Sequence, residues 1–222
     1  MENTPDSKAE LVSELYMAAQ EVDLITKVYG KCAKVYDSLC LTTWKGPTAI
    51  ADAAQKVVSD QATDVVVLDF GAGTGLCGIA MKSAGFKTID AMDVSKEMLD
   101  EAERVSGGTL YRTVYIGLIG TDFSIEACNY DMIVSSGVIG THVYTDIVSL
   151  LMPLVKPGGS LIYTIRLDTD DGNEFSSFYA SLSGKKGEGC GTWERVSSSD
   201  VGPLNIDIPN VTHRVVVLKR IE

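Results

Sequence analysis

The sequence has no run of about 18 apolar residues, so no segment reads as a membrane-spanning helix. Its opening, MENTPDSKAE, has neither a basic start nor an apolar stretch, and no secretory signal is expected. Five cysteines (Cys32, Cys40, Cys77, Cys128, Cys190) form no CxxC pair, and their count is odd. That pattern fits reduced thiols in a cytoplasmic protein better than a disulfide frame or a cysteine zinc site. Only two histidines occur, and no His/Asp/Glu cluster suggests a metal. Basic residues are scarce: 19 Lys and Arg stand against 30 Asp and Glu, for a net charge of −11. A nucleic-acid binder normally carries a basic face. The acidic balance favours a small-molecule or protein partner, with neither nucleic acid nor membrane expected.

What is present is a pattern of alternating elements. Residues 8–37 repeat apolar side chains at steps of three and four, from Leu11 through Tyr29, as a helix does. A second helix is predicted over Pro47–Val58, proline being tolerated in the first turn. Val65–Phe70 is a continuous apolar run, as expected of a strand covered on both faces. Then follow a predicted helix at Leu76–Ala84 and a strand at Thr88–Asp93. A helix capped by Ser95 runs on to about Val105, with Glu97 in its first turn. Further strands are predicted at 113–120, 131–137 and 160–167, with a helix at Thr145–Leu154 and a turn at KPGG. A short helix at Glu174–Leu182, a mobile loop over 183–191 and late strands at Trp193–Val196 and Val211–Leu218 complete the chain. Strands alternating with helices imply an α/β fold: a doubly wound, Rossmann-like, mostly parallel sheet of seven strands with helices on both faces. One domain is expected, with residues 1–60 as an N-terminal helical cap on an α/β core of residues 61–222.

The first strand runs into DFGAGTG, with glycines at 71, 73 and 75. Ligands bind such sheets at the carboxyl ends of the strands. Glycine admits positive φ and leaves the backbone bare. The plain alternative is a tight turn in which glycine serves geometry alone. A second acid, Asp93, ends the second strand 24 residues after Asp69. A carboxylate there can accept from both hydroxyls of a ribose. The spacing G-x-G-x-G differs from the G-x-G-x-x-G of dinucleotide sites. An acid at 69 would repel a pyrophosphate and suit a ligand with a cationic amino-acid end. An NAD-dependent oxidoreductase is disfavoured for these reasons and because no Tyr-x-x-x-Lys pair occurs.

VVVLDFGAGTG, IDAMDVSKEMLDEA, YDMIVSSGVIGTHV and LVKPGGSLIYT resemble, in order and spacing, the motifs of class I S-adenosylmethionine-dependent methyltransferases. KVYDSLCLTTWKGPTAIAD, SSGVIGTHV and Arg166 are similar to the methyltransferase-like group named after the Williams-Beuren syndrome region. The resemblance implies S-adenosylmethionine as cofactor. It implies that Asp69, Gly71, Ala72, Gly73 and Gly75 cradle the methionine end and that Asp93 holds the ribose. Val94 would lie beside the adenine and Met98 over its face, although a core methionine is an equal reading. Leu118 and Ile119 would bracket the adenine edge, where the family more often has an acidic GD pair. Ser135 and Ser136 would lie near the methyl group.

Methyl transfer from a sulfonium is an in-line displacement driven mainly by positioning, so no catalytic group is obligatory. His142 follows the fourth strand and is the candidate base, against a packing or surface role. His213 reads as structural. Tyr29, Tyr36 and Trp44 are candidate substrate contacts in a lid over the site; packing against the sheet is the heavier reading. Arg166 can pair with an acidic group of the substrate or lie on the surface. No NPPY-like tetrapeptide follows the fourth strand, which within this superfamily argues against a nucleobase or amide acceptor. The expectation is therefore a methyltransferase acting on a small molecule. A protein acceptor, or a cofactor-binding protein without catalysis, is the alternative.

Overall fold

The apolar run after Asp64 becomes the central strand of the sheet. The structure is a computed structural model that describes residues 22–38, 44–58, 64–139, 147–167, 191–202 and 212–222. Seven strands form one sheet: β1 (Val66–Phe70), β2 (Thr88–Asp93), β3 (Val114–Ile116), β4 (Tyr130–Ser135), β5 (Val155–Arg166), β6 (Trp193–Gly202) and β7 (His213–Arg220). Their order is β3-β2-β1-β4-β5-β7-β6. β1 is parallel to both β2 and β4, and β7 runs antiparallel to β5 and β6 on either side of it. The strand order reverses between β1 and β4, which places the ligand crevice of such a sheet over their carboxyl ends. This is the expected Rossmann-like architecture.

Successive side chains of β1 face opposite layers. Val67 meets α2 (Gly46–Val58) and α3 (Leu76–Ser83) through Ile50, Ala51, Cys77 and Met81. Leu68 and Phe70 meet Val148 and Leu151 of α5 (Ile147–Leu151) on the other face. α2 thus belongs to a helical layer of the sheet. α1 (Val22–Tyr36) lies against α4 (Lys96–Ser106), with Ile25, Val28 and Cys32 buried and Val94 packed beside them.

Several sequence expectations shift by local chemistry. The third strand, expected over 113–120, stops at Ile116. Gly117 adopts φ +114 and its amide donates to Asp93 O (2.9 Å), which turns the chain over the end of β2. KPGG is not a free turn but lies inside β5. The pairing of β4 with β5 shifts between Tyr130 and Met132 to absorb it, a bulge pinned by Lys156 Nζ on Asp131 (2.9 Å). Past Leu151 the helical path tightens to a 3₁₀ turn, Met152–Leu154, because Pro153 has no amide to continue it. The sixth strand, expected over Trp193–Val196, extends to Gly202, and the last, expected over Val211–Leu218, lies two residues later at His213–Arg220. The start of the first helix, the Glu174–Leu182 helix and most of the 183–191 loop lie outside the described residues. No helix among the described residues is long and apolar enough to cross a membrane.

A buried polar network stiffens the β2 side. Asp90, 1% exposed, accepts two bonds from the Arg112 guanidinium (2.9 and 2.7 Å) and one from Tyr130 Oη (3.0 Å). Asp90→Ala leaves a fully buried phenol without its acceptor. It is expected to cost ~2–3 kcal/mol in urea unfolding, and a loss below ~0.5 kcal/mol would show the network to be dispensable.

Candidate cofactor site

The carboxyl edge of the sheet gathers Asp69, Asp93, Gly117, Ser135 and Arg166, and β7, running the other way, begins there with His213. The glycine loop joins β1 to α3 across this edge. Gly71 and Ala72 donate their amides to Met92 O (2.8 and 3.0 Å), which folds the loop over β2. Gly71 sits at φ +69, and a β-carbon there would come within 2.4 Å of Val138 Cγ2. Glycine is thus required by conformation and by the close approach of the segment after β4.

Asp93 ties this loop to the next helix. Its Oδ2 accepts from Gly73 N (2.8 Å) and its Oδ1 from Ser95 N (2.9 Å). Ser95 in turn caps α4, accepting from Met98 N (3.3 Å). A carboxylate offers about four lone-pair sites, so each oxygen keeps a further acceptor position. Two adjacent acceptors on one half-buried carboxylate match the vicinal hydroxyls of a ribose. Burial pushes the Asp93 carboxyl up, and the amides of Ser95, Gly73 and Val94 pull it down.

Asp69 is placed differently from its expected contact with a ligand. It is 0% exposed and faces the α3 side, where Tyr111 Oη donates to its Oδ2 (2.8 Å). Burial pushes its carboxyl up to about 6, against the Tyr111 hydroxyl, the Cys77 thiol and the Gly78 amide, while the Asp93 charge adds to the rise. Met98, 2% exposed, lies beneath Gly73 rather than on an open face. Val94 is half-buried under α1. Leu118 and Ile119 stand half-buried beyond Gly117, with the Leu118 amide on Asp122 Oδ2 (2.7 Å). Ser135 is fully buried at the end of β4, and its hydroxyl has no hydrogen-bond partner among the described residues. Ala72 is buried, and Gly75, at φ +90, starts α3.

The three aromatic candidates separate. The rings of Tyr29 and Tyr36 meet at a tilt (centroids 5.4 Å apart) against Val94, at the Asp93 end. Trp44 stands at the other end, over Gly46 and Gly137, and donates Nε1–H to Ser136 Oγ (3.3 Å). The buried His213 ring meets it edge-on at 5.1 Å. Thr164 Oγ1 accepts from the Gly137 amide (2.8 Å) in the same corner. Arg166 pairs in register with His213 at the ends of β5 and β7. His142 lies outside the described residues. Sequence reasoning overlooked Tyr111, the Thr74–Asp37 bond (2.6 Å) that ties the loop to the end of α1, and the Trp44–His213 contact. Gly78 inside α3 was a usable signal, since a glycine within a helix often marks a close approach.

The residues present fit a nucleoside cofactor with an amino-acid end: a bridging carboxylate with spare acceptors, a bare loop, and an orphaned buried hydroxyl at Ser135. Among the described residues no group of three or more His, Cys, Asp or Glu could hold a metal.

Asp69 makes a prediction of its own. Its folded value, about 6, lies above the ordinary 3.8. The ionised carboxylate is therefore a cost that is absent below about pH 4 and grows as pH rises through about 6. Asp69→Asn keeps an acceptor for Tyr111 without the charge. It is expected to gain up to ~3 kcal/mol on the parent between pH 4 and pH 7.5. Equal differences at the two pH values in chemical denaturation would contradict this.

Residues 67–159 match the family model described as Methyltransferase domain. No curated protein matches the sequence. Solved structures share the fold at low identity. A S-adenosylmethionine-dependent methyltransferase from Leishmania major is 18% identical with a TM-score of 0.59, covering 86% of this chain and 82% of that one. The [4+2]-cyclase SpnF is 12% identical with a TM-score of 0.66, covering 90% and 96%. An inferred RNA methyltransferase from Pyrococcus horikoshii is 15% identical with a TM-score of 0.57, covering 79% and 83%. The matched segment holds the glycine loop, Asp93 and Ser135, and with the seven-stranded sheet it supports methyltransferase activity with S-adenosylmethionine as the cofactor.

Proposed function

We propose that the enzyme methylates a small molecule held at the carboxyl edge of β4, β5 and β7, in the cytoplasm. The observation that carries the acceptor reading is the corner built by Trp44, Ser136, Thr164 and His213. It offers an aromatic face and hydroxyls next to the end of β4, groups that can hold a small molecule. The net charge of −11 weighs against a polyanion. The segments similar to the Williams-Beuren region group support a kinship with it. One domain, with α1 as its cap, accounts for the packing of α1 on α4 and of α2 on the sheet.

The cofactor supplies a sulfonium methyl group. The chain's part is to orient it and to exclude water. Asp93 fixes the ribose end through its two free acceptor positions. Gly71, Ala72, Gly73 and Gly75 let the amino-acid end lie close to the backbone. The Ser135 hydroxyl offers a hydrogen bond beside it, and Ser136 continues the edge. Val94, Leu118 and Ile119 form the apolar wall at the nucleoside end, with Met98 supporting the loop from beneath Gly73 and Tyr29 and Tyr36 behind Val94. Holding the acceptor in line with the methyl group is the main source of rate. His142 is the candidate to take a proton from a protonated acceptor, and Arg166 is placed to pair with an acidic acceptor group.

The test is a calorimetric titration with S-adenosylmethionine and S-adenosylhomocysteine, then methyl transfer from labelled cofactor to a metabolite extract, to protein and to RNA. Asp93→Ala is expected to weaken both ligands about 100-fold, since two charge-assisted hydrogen bonds are worth ~3 kcal/mol. Label appearing only in protein or RNA would replace the small-molecule reading. Trp44→Ala is expected to raise the acceptor KM about tenfold, as loss of ~1.4 kcal/mol of aromatic contact would. Cofactor affinity should stay unchanged, and an equal loss of cofactor binding would move Trp44 out of the acceptor site.

A further inference from the structure

We propose that Tyr111 is a positioning residue of the cofactor site: from behind α3 it holds the Asp69 carboxyl under the glycine loop, so that a negative charge stands beneath the cationic end of the cofactor. The inference rests on the cofactor assignment above and extends it to a residue outside the recognised motifs.

The geometry is specific. Tyr111 lies in the connection between α4 and β3, well away from the loop in sequence, yet its hydroxyl reaches Asp69 Oδ2 at 2.8 Å. It gets there by crossing α3 at Gly78, where a β-carbon would come within 2.5 Å of Tyr111 Oη. Glycine inside a helix costs ~1 kcal/mol against alanine, so this notch is kept for the phenol. Asp69 is fully buried and makes no ion pair among the described residues. A lone buried acid is costly, and nothing in the packing of β1 against α3 requires one. Its value is clear if a cation binds above it.

The groups that face Asp69 are Tyr111 from the α4–β3 connection, Cys77 and the Gly78 amide from α3, and Asp93 from β2. None is cationic. Burial pushes the Tyr111 phenol and the Cys77 thiol up, so both remain neutral donors near neutral pH. Tyr111 therefore favours the ionised state of Asp69 by hydrogen bonding, not by charge. A bound sulfonium with its ammonium favours the same state, so cofactor binding and loss of the Asp69 proton are linked. S-adenosylhomocysteine lacks the sulfonium charge and is held less strongly by this device.

The experiment is calorimetric titration of S-adenosylmethionine and S-adenosylhomocysteine between pH 5 and 8 on the parent, Tyr111→Phe, Asp69→Asn and the double variant, with thermal melts to confirm folding. In the parent, S-adenosylmethionine affinity should fall about tenfold as pH drops one unit below the Asp69 midpoint, and S-adenosylhomocysteine affinity should fall less. Tyr111→Phe should shift that midpoint to higher pH. Asp69→Asn should flatten the profile, and adding Tyr111→Phe to it should leave it flat. If Tyr111→Phe lowers affinity equally at every pH, or if Asp69→Asn keeps the parent profile, the proposal is overturned and Tyr111 is only packing. If the folded parent binds neither ligand, the cofactor assignment fails first and the proposal with it.

Discussion

Everything at the carboxyl edge hangs on one carboxylate. Asp93 takes the Gly73 amide on one oxygen and the Ser95 amide on the other, and its own carbonyl receives the Gly117 amide. The loop after β1, the start of α4 and the exit from β3 are thereby fixed to a single residue at the end of β2. Backbone amides carry most of this part of the scaffold. Its shape follows from where three backbone segments must go to satisfy one acid.

The three acids of β1 and β2 are handled in three ways. Asp90 is neutralised by Arg112 and tied to Tyr130. Asp93 is solvated by amides that double as structural bonds. Asp69 has only neutral donors, and its burial is not offset by a cation. The first is paired with a cation; Asp93, which burial also pushes up, is partly compensated by its amides. The third weakens the fold near neutral pH, and proteins commonly retain such unfavourable charges where binding or catalysis uses them.

The sheet was legible in the sequence because both periods were clean: apolar runs bounded by Asp, Gly or Ser, and Ser95 placed to cap a helix. β2 was bounded to the residue, because Asp93 ends it chemically. β3 was overestimated because TVYIGLIG is apolar throughout, and only the Gly117 amide reaching Asp93 O reveals the stop. KPGG was misread because a local turn signal does not show that a neighbouring strand will pair across it. In the site, Asp93 and the glycines were readable from spacing. The inward turn of Asp69 was not, since it depends on Tyr111, brought there by the path of the chain after α4. The separation of Trp44 from Tyr29 and Tyr36 was likewise invisible, because helical spacing says which residues share a face and not which strand end that face will meet.

Trp44 precedes the matched segment of 67–159 and His213 follows it, yet the two rings touch at the end of β4. The cofactor half of the edge is thus written in one continuous stretch, while the corner beside it is closed by the two flanks of the chain. A lineage could exchange Trp44 or His213 and alter what packs against Ser136 without touching the glycine loop, Asp93 or Tyr111. The same division marks where a redesign for a different acceptor would begin.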